Sequence, residues 1–405
     1  MTGPSSRGSL PLNPNDRSPV VTWTRAQTER AAASVTPLGG TAIGARPDIV
    51  HSLQLLRGIA AVLVLMRHAA KFALGGDSSL AFPVGQAGVD VFFVISGAVI
   101  FLTSRHLSWH AFIRRRIARI VPLYWLVLAA AVAASILPML LGGDFKPHGG
   151  FSLSNAIASY FFIPAFDAEG EIYPLIVAGW TLNFEMYFYA ICMLALLILP
   201  RRVFLSAVSL TIVAGIVIGL PYHLSVGEGI EWPAAILLLP ITLEFVAGLW
   251  IAHLWTRGYR TPLWVNAALI GAAILWLVFA PDASPYTIWR PISWGVPAIA
   301  LVWALTASEE KIDFSTWRVG RLLGDASYAI YLTHPIVLVL AELVLRRIDL
   351  DLGIAGKLVL AIASSLMVGI LVHLIVERRL VRFANFMLGV SRSSRGRAVG
   401  SPPRA

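Results

Sequence analysis

Leu55-Leu56-Arg57-Gly58, the apolar run Ile59 to Met66, then Arg67-His68: this stretch decides what kind of protein the chain forms. The run is long enough, with its flanks, to enter a bilayer as a helix. His68 follows Arg57 by eleven positions, about 16 Å along a helix axis. Ionisable groups inside a span cost several kcal/mol and usually face a protein interior or a water-filled cavity. Two arrangements are open for this pair alone. Arg57 and His68 snorkel to opposite interfaces, or both face the inside of a bundle.

Composition extends the reading to the whole chain. Of its 405 residues 57% are hydrophobic and only 13% charged, with mean hydropathy +0.74. A soluble chain carries about 25% charged residues, so this is a polytopic membrane protein, all-α because lipid offers the backbone no partners. The net charge of +10 does not indicate nucleic acid, since the basic residues lie between apolar spans and in the C-terminal tail. The lone cysteine, Cys192, excludes an intrachain disulfide and a metal-binding cysteine cluster, and no metal is expected.

About ten spans are expected, near 52–72, 88–104, 118–141, 177–199, 203–220, 234–255, 263–280, 289–307, 325–345 and 355–377. Residues 155–166 are apolar but short, hence interfacial or re-entrant. Residues 1–48, rich in Ser, Pro, Thr, Gly and Arg, read as a disordered cytoplasmic tail without a signal-type apolar core. The transmembrane domain covers 49–385 and a basic cytoplasmic tail covers 386–405. Arginines concentrate in alternate loops, at 105, 114–116, 201–202, 257 and 260, 318 and 321, and in the tail, while Asp144, Asp167, Glu169, Glu171, Glu228, Glu231 and Asp282 occupy the others. The positive-inside rule then puts both termini in the cytoplasm. Arg346, Arg347 and Lys357 depart from it, partly balanced by Asp349 and Asp351.

Five motifs carry the polar groups of the spans. Gly88-Val89-Asp90-Val91-Phe92-Phe93-Val94-Ile95-Ser96-Gly97 opens the second span. Asp90 either caps the helix dipole or pairs with His68 or Arg57, and Ser96-Gly97 either eases helix packing or supports a site. Arg114-Arg115-Arg116-Ile117-Ala118-Arg119 places Arg116 with Arg119, and Arg115 with Arg119, on one helix face. It serves the positive-inside rule, or binds an anion, since arginine grips phosphate bidentately. Glu185, in Trp180-Thr181-Leu182-Asn183-Phe184-Glu185, and Glu244 put carboxylates into apolar spans, where each must be paired or protonated. Ser327, Tyr331 and His334 recur at helical spacing and form a polar seam or part of a site.

Taken together and in this order, these motifs resemble the acyltransferase 3 family of bacterial integral-membrane O-acyltransferases. The resemblance covers about residues 50–385. Asn183-Phe184-Glu185-Met186 and Thr333-His334-Pro335 are most similar to the exopolysaccharide-acetylating branch, and Arg67 replaces the apolar or aromatic residue usual before the histidine. The resemblance implies a multi-pass protein of the bacterial inner membrane that moves an acyl group, usually acetyl, from acyl-coenzyme A to a carbohydrate hydroxyl, with no cofactor besides that donor. Its partners would be acyl-coenzyme A, a carbohydrate acceptor and membrane lipids. A sugar hydroxyl needs a positioned base, and histidine is the usual one. His68 is therefore assigned as base or transient acyl carrier, and Arg57 as oxyanion or donor ligand. Arg115, Arg116 and Arg119 would hold donor phosphates. Asp90 and Glu185 complete the catalytic set, with Ser96, Ser327, Tyr331 and His334 in support. A polar tunnel lined by Arg57, His68, Asp90 and Glu185 would lead the donor to the base. Two readings from other classes use the same intramembrane charges: a transporter or flippase of a lipid-linked glycan, and a non-catalytic membrane sensor.

Overall fold

Apolar segments that leave water must close their own N–H and C=O groups, and a helix does so within one segment. The computed structural model describes residues 50–75, 82–140, 150–227, 229–281 and 284–390. The expected N-terminal tail and residues 391–405 lie outside the described residues, as do Asp144, Glu228 and Asp282. The helices are α1 His51–Ala73, α2 Ala87–Ser104, α3 Trp109–Leu140, α4 Leu153–Tyr160, α5 Trp180–Ile198 and α6 Phe204–Val226. There follow α7 Leu243–Thr256, α8 Leu263–Phe279, α9 Val296–Ser308, α10 Arg318–Arg347, α11 Gly353–Val372 and α12 Arg378–Met387. No strand occurs among the described residues.

Each of the ten expected segments overlaps a helix. Among the described residues, eight helical runs are long and apolar enough to cross a membrane, and α8 is a shorter apolar helix. Three boundaries differ from expectation. α3 starts at Trp109, so the arginine run at 114–119 lies within the helix, not at its edge. The segment near 234–255 begins as 3-10 turns, Pro233–Leu238 and Pro240–Thr242, before α7, because two prolines withhold the N–H groups a longer helix needs. The last segment passes from α11 through a π turn, His373–Glu377, into α12.

Without a hydrophobic force between them, helices in lipid associate by close backbone approach. Two crossings show it. A Cβ on Gly324 of α10 would sit 2.1 Å from the Gln54 carbonyl oxygen of α1. At the α2–α7 crossing, a Cβ on Gly97 would lie 2.0 Å from the Phe245 carbonyl oxygen, and one on Gly248 would lie 1.9 Å from that of Val94. Gly97 is thus a packing residue. Between α4 and α5 the chain is irregular yet satisfied: Asn155 Nδ2 donates to the Phe166 and Tyr173 carbonyls at 3.1 and 2.8 Å, and Ser159 Oγ accepts from Leu175 N at 3.0 Å. Of residues 155–166, only 155–160 are helical.

Candidate active site

Helices α1, α2, α3, α5 and α10 line a cavity that is partly open to solvent. Arg57 reaches it from α1, Ser96 from α2, Arg116 and Arg119 from α3, and Glu185 from α5. Ser327 and Tyr331 line it from α10. Seven of the residues singled out in the sequence therefore share one space, although they come from five helices.

The charges in this space are held by one another and by rings. Glu185 accepts a hydrogen bond from the Tyr189 hydroxyl, one turn along α5. Arg116 donates to Thr103 Oγ1 and its guanidinium lies 5.6 and 5.8 Å from the Phe112 and Tyr189 ring centres, in reach of a cation–π contact. Arg119 Nη1 is 2.5 Å from Glu377 Oε1, and its guanidinium stands 5.8 Å from the Tyr328 ring centre. Glu377 is wholly buried, and its other oxygen meets His373 Nδ1 at 2.7 Å. Arg57 Nη1 donates to Gln54 Oε1 at 3.1 Å, and Gln54 Nε2 donates to Asp325 Oδ1 at 2.6 Å. Three guanidiniums at the cavity thus face two close carboxylates, Glu185 and Glu377, leaving positive charge for an anion. Arg115, expected beside them, is not among the lining residues; the side chain of Arg116 turns inward with Arg119, and the adjacent position projects elsewhere.

His68 lies off this cavity. Its ring centre is 5.0 Å from that of His334, which is 6.0 Å from that of Tyr331. The Tyr331 hydroxyl shares a 2.9 Å hydrogen bond with Thr181 Oγ1, and both residues line the cavity. Aromatic rings thus run from the cavity wall to His68. His334 Nδ1 contacts the Ile330 carbonyl at 3.3 Å, and Pro335 removes the N–H that would cap the Tyr331 carbonyl.

The sequence reading of Asp90 requires correction. It pairs with neither His68 nor Arg57. Arg290 Nε and Nη2 grip its carboxylate at 3.1 and 2.7 Å, and Arg290 Nη1 also donates to Gln86 Oε1 at 2.8 Å. Arg290 stands at the mouth of a π turn, Pro291–Gly295, which aims it across at α2. The fork geometry satisfies the carboxylate from one side chain, leaving the α1 cations to other partners. Glu244 is buried nearby against Gly295, where a Cβ would meet its Oε1 at 2.7 Å. Neither His68 nor Asp90 lines the cavity, so the expected four-residue tunnel is reduced to Arg57 and Glu185.

Arg290, Glu377 and His373 were missed in the sequence. Counting acids against bases within the expected spans would have flagged Arg290, because Asp90 and Glu244 require a buried cation. Glu377 looked like the end of a span and carried no such signal.

With this geometry in view, comparisons with known proteins fall into place. The acyltransferase domain of the acyltransferase 3 family matches residues 50–376. The chain is 36% identical over 313 residues to the exopolysaccharide production protein ExoZ of Rhizobium meliloti, covering 74% of this chain and 91% of that protein. It is 30% identical over 366 residues to the membrane-bound transacylase BcsY of Komagataeibacter xylinus, covering 85% and 86%. No solved structure matches. The family match over most of its length, with two relatives at 36% and 30% identity, makes this chain a member of the acyltransferase 3 family, an acyltransferase.

Proposed function

We propose that this acyltransferase moves an acetyl group from acyl-coenzyme A to a hydroxyl of an exported or cell-surface carbohydrate, as a multi-pass protein of the bacterial inner membrane. The observation that carries this reading is the cavity, where Arg57, Arg116 and Arg119 outnumber the carboxylates beside them. A donor bearing several phosphates matches that excess through charge-assisted, bidentate contacts. The names of the two relatives, one from exopolysaccharide production and one a transacylase, support the acceptor and reaction classes. The positive-inside rule supports ten crossings, with the arginine end and both termini at the cytosol.

In this mechanism the donor's phosphates rest on Arg116 and Arg119 and its thioester arm extends past Tyr331 toward His68. His68 accepts the proton of the sugar hydroxyl. The hydroxyl oxygen attacks the thioester carbonyl, and the carbon–sulfur bond breaks as the new ester forms. The departing thiolate takes up the proton that His68 accepted and leaves as coenzyme A, which returns His68 to its neutral form. Arg57, in the same cavity as Arg116 and Arg119, helps bind the donor. Glu185 holds the cavity hydroxyls and guanidiniums in register, and His334 packs against the base.

The decisive experiment pairs calorimetry of coenzyme A binding to purified protein with mass spectrometry of surface glycans from cells with and without the gene. Saturable binding and a glycan mass difference of one acetyl group are expected. Absence of binding together with identical glycans would overturn the proposal.

A further inference from the structure

A second space lies outside the chemistry described so far. Helices α3, α10 and α11 form a groove of about 1210 Å³, walled by residues such as Leu126, Ala130, Leu340, Ala341 and Val368. Its two polar lining residues are spent internally: Thr333 Oγ1 donates to the Ala329 carbonyl at 2.8 Å and Ser364 Oγ to that of Leu360 at 2.6 Å. The groove therefore offers nothing to a polar ligand. It is long, since Val376 follows Leu360 by sixteen residues, about 24 Å along a helix axis. One leaflet of hydrocarbon is about 15 Å deep, half of a core of about 30 Å.

At one end the chemistry reverses within a single helical turn. On α3, Leu123 of the groove is preceded one turn earlier by Arg119. On the facing wall, Val376 of the groove is followed by Glu377, Arg378 and Arg379. Here a pocket of about 980 Å³ is lined by Arg119, Glu377, Arg378, Arg379 and Arg382. Glu377 is already engaged by Arg119 and His373. Arg378, Arg379 and Arg382 have no carboxylate partner among the described residues. They sit on α12, which also exposes Phe383 and Phe386. Arginines beside exposed aromatic rings mark a helix that lies at the headgroup level.

We propose that groove and pocket together form a binding site for an anionic glycerophospholipid, with the phosphate on Arg378 and Arg379 and an acyl chain along α3, α10 and α11. Basic pockets between membrane helices bind anionic headgroups, and a chain rooted there has an apolar channel of matching direction. A soluble phosphate ligand accounts for the arginines but leaves the groove unused. A neutral lipid accounts for the groove but leaves three cations unmatched.

The test reconstitutes the full chain in vesicles of equal phosphatidylglycerol and phosphatidylcholine, extracts it gently, and measures retained lipid by native mass spectrometry. Phosphatidylglycerol should be retained several-fold over phosphatidylcholine. Arg378→Gln with Arg379→Gln should erase the preference. Ala341→Phe, which fills the groove, should lower retention of both lipids. Arg346→Gln with Arg347→Gln, at the far end of α10, should change neither. An equal ratio in the wild type, or a preference that falls as far in the Arg346/Arg347 variant, would overturn the proposal. Displacement of the phospholipid by acetyl-coenzyme A, one for one, would instead assign the pocket to the donor.

Discussion

Two of the arginine–carboxylate contacts in this bundle, Arg119–Glu377 and Arg290–Asp90, differ in access. At the cavity, Arg119 keeps 33% of its side chain exposed while it holds Glu377. In the pair Arg290–Asp90, exposures are 1% and 0%. A sealed pair gains strong attraction but has given up the hydration of both ions, so its geometry cannot be exchanged for another partner. An open guanidinium, backed on one side by a carboxylate, still has donors for an incoming anion. The same two residue types therefore brace helices in one place and stand ready to bind in the other. Solvent access, which neither residue encodes alone, makes the difference.

The largest expected effect falls on His68, which belongs to neither contact. His68→Gln should lower the transfer rate by about 10²–10⁴-fold, the usual contribution of general base catalysis, with unchanged thermal unfolding. A folded variant that transfers at the wild-type rate removes His68 from the mechanism. Next comes the sealed pair. Arg290→Gln should destabilise the protein by about 3–5 kcal/mol, because it strands a buried carboxylate, and Asp90→Asn in the same chain should restore part of that loss. Denaturation in detergent micelles measures both. If Arg290→Gln melts with the wild type, the distinction between bracing and binding collapses.

The cavity arginines should behave in the opposite way. Arg116→Ala and Arg119→Ala should each weaken coenzyme A binding by about 1.5–3 kcal/mol, or roughly tenfold to a hundredfold, with a smaller effect on acceptor dependence. Equal affinities in calorimetry would detach these arginines from the donor. The smallest effect sharpens the comparison by salt. Raising ionic strength to about 1 M shortens the screening length to about 3 Å, so donor affinity should fall a few-fold. The thermal stability difference between wild type and Arg290→Gln should hardly move. A difference that shrinks with salt would mean that water reaches Arg290.

Much of the architecture was legible residue by residue. Apolar length and low charge are local properties, and in lipid they permit little besides helices; the ten expected segments accordingly overlap helices. The motifs that resemble acyltransferase 3 are short strings, so the family was also readable without coordinates. Arg57 and Glu185 were found because an ionisable group in an apolar span must meet a partner or a cavity. The 3-10 start of the segment before α7 was written in Pro233 and Pro240 but was outweighed by hydropathy.

By itself, then, the sequence determined the membrane class, the helices, the family and which side chains needed accommodation. Only the tertiary structure decided who accommodates whom. Asp90 finds Arg290 across 200 positions, and Arg119 finds Glu377 across 258. Spacing predicts contacts between side chains three or four apart on one helix, and it is silent beyond that reach. The placement of His68 beside His334 and outside the arginine cavity, and the meeting of an apolar groove with three arginines of α12, likewise depend on how helices distant in the chain pack. Coulomb attraction and desolvation act over a few ångströms of space, whatever the distance along the chain.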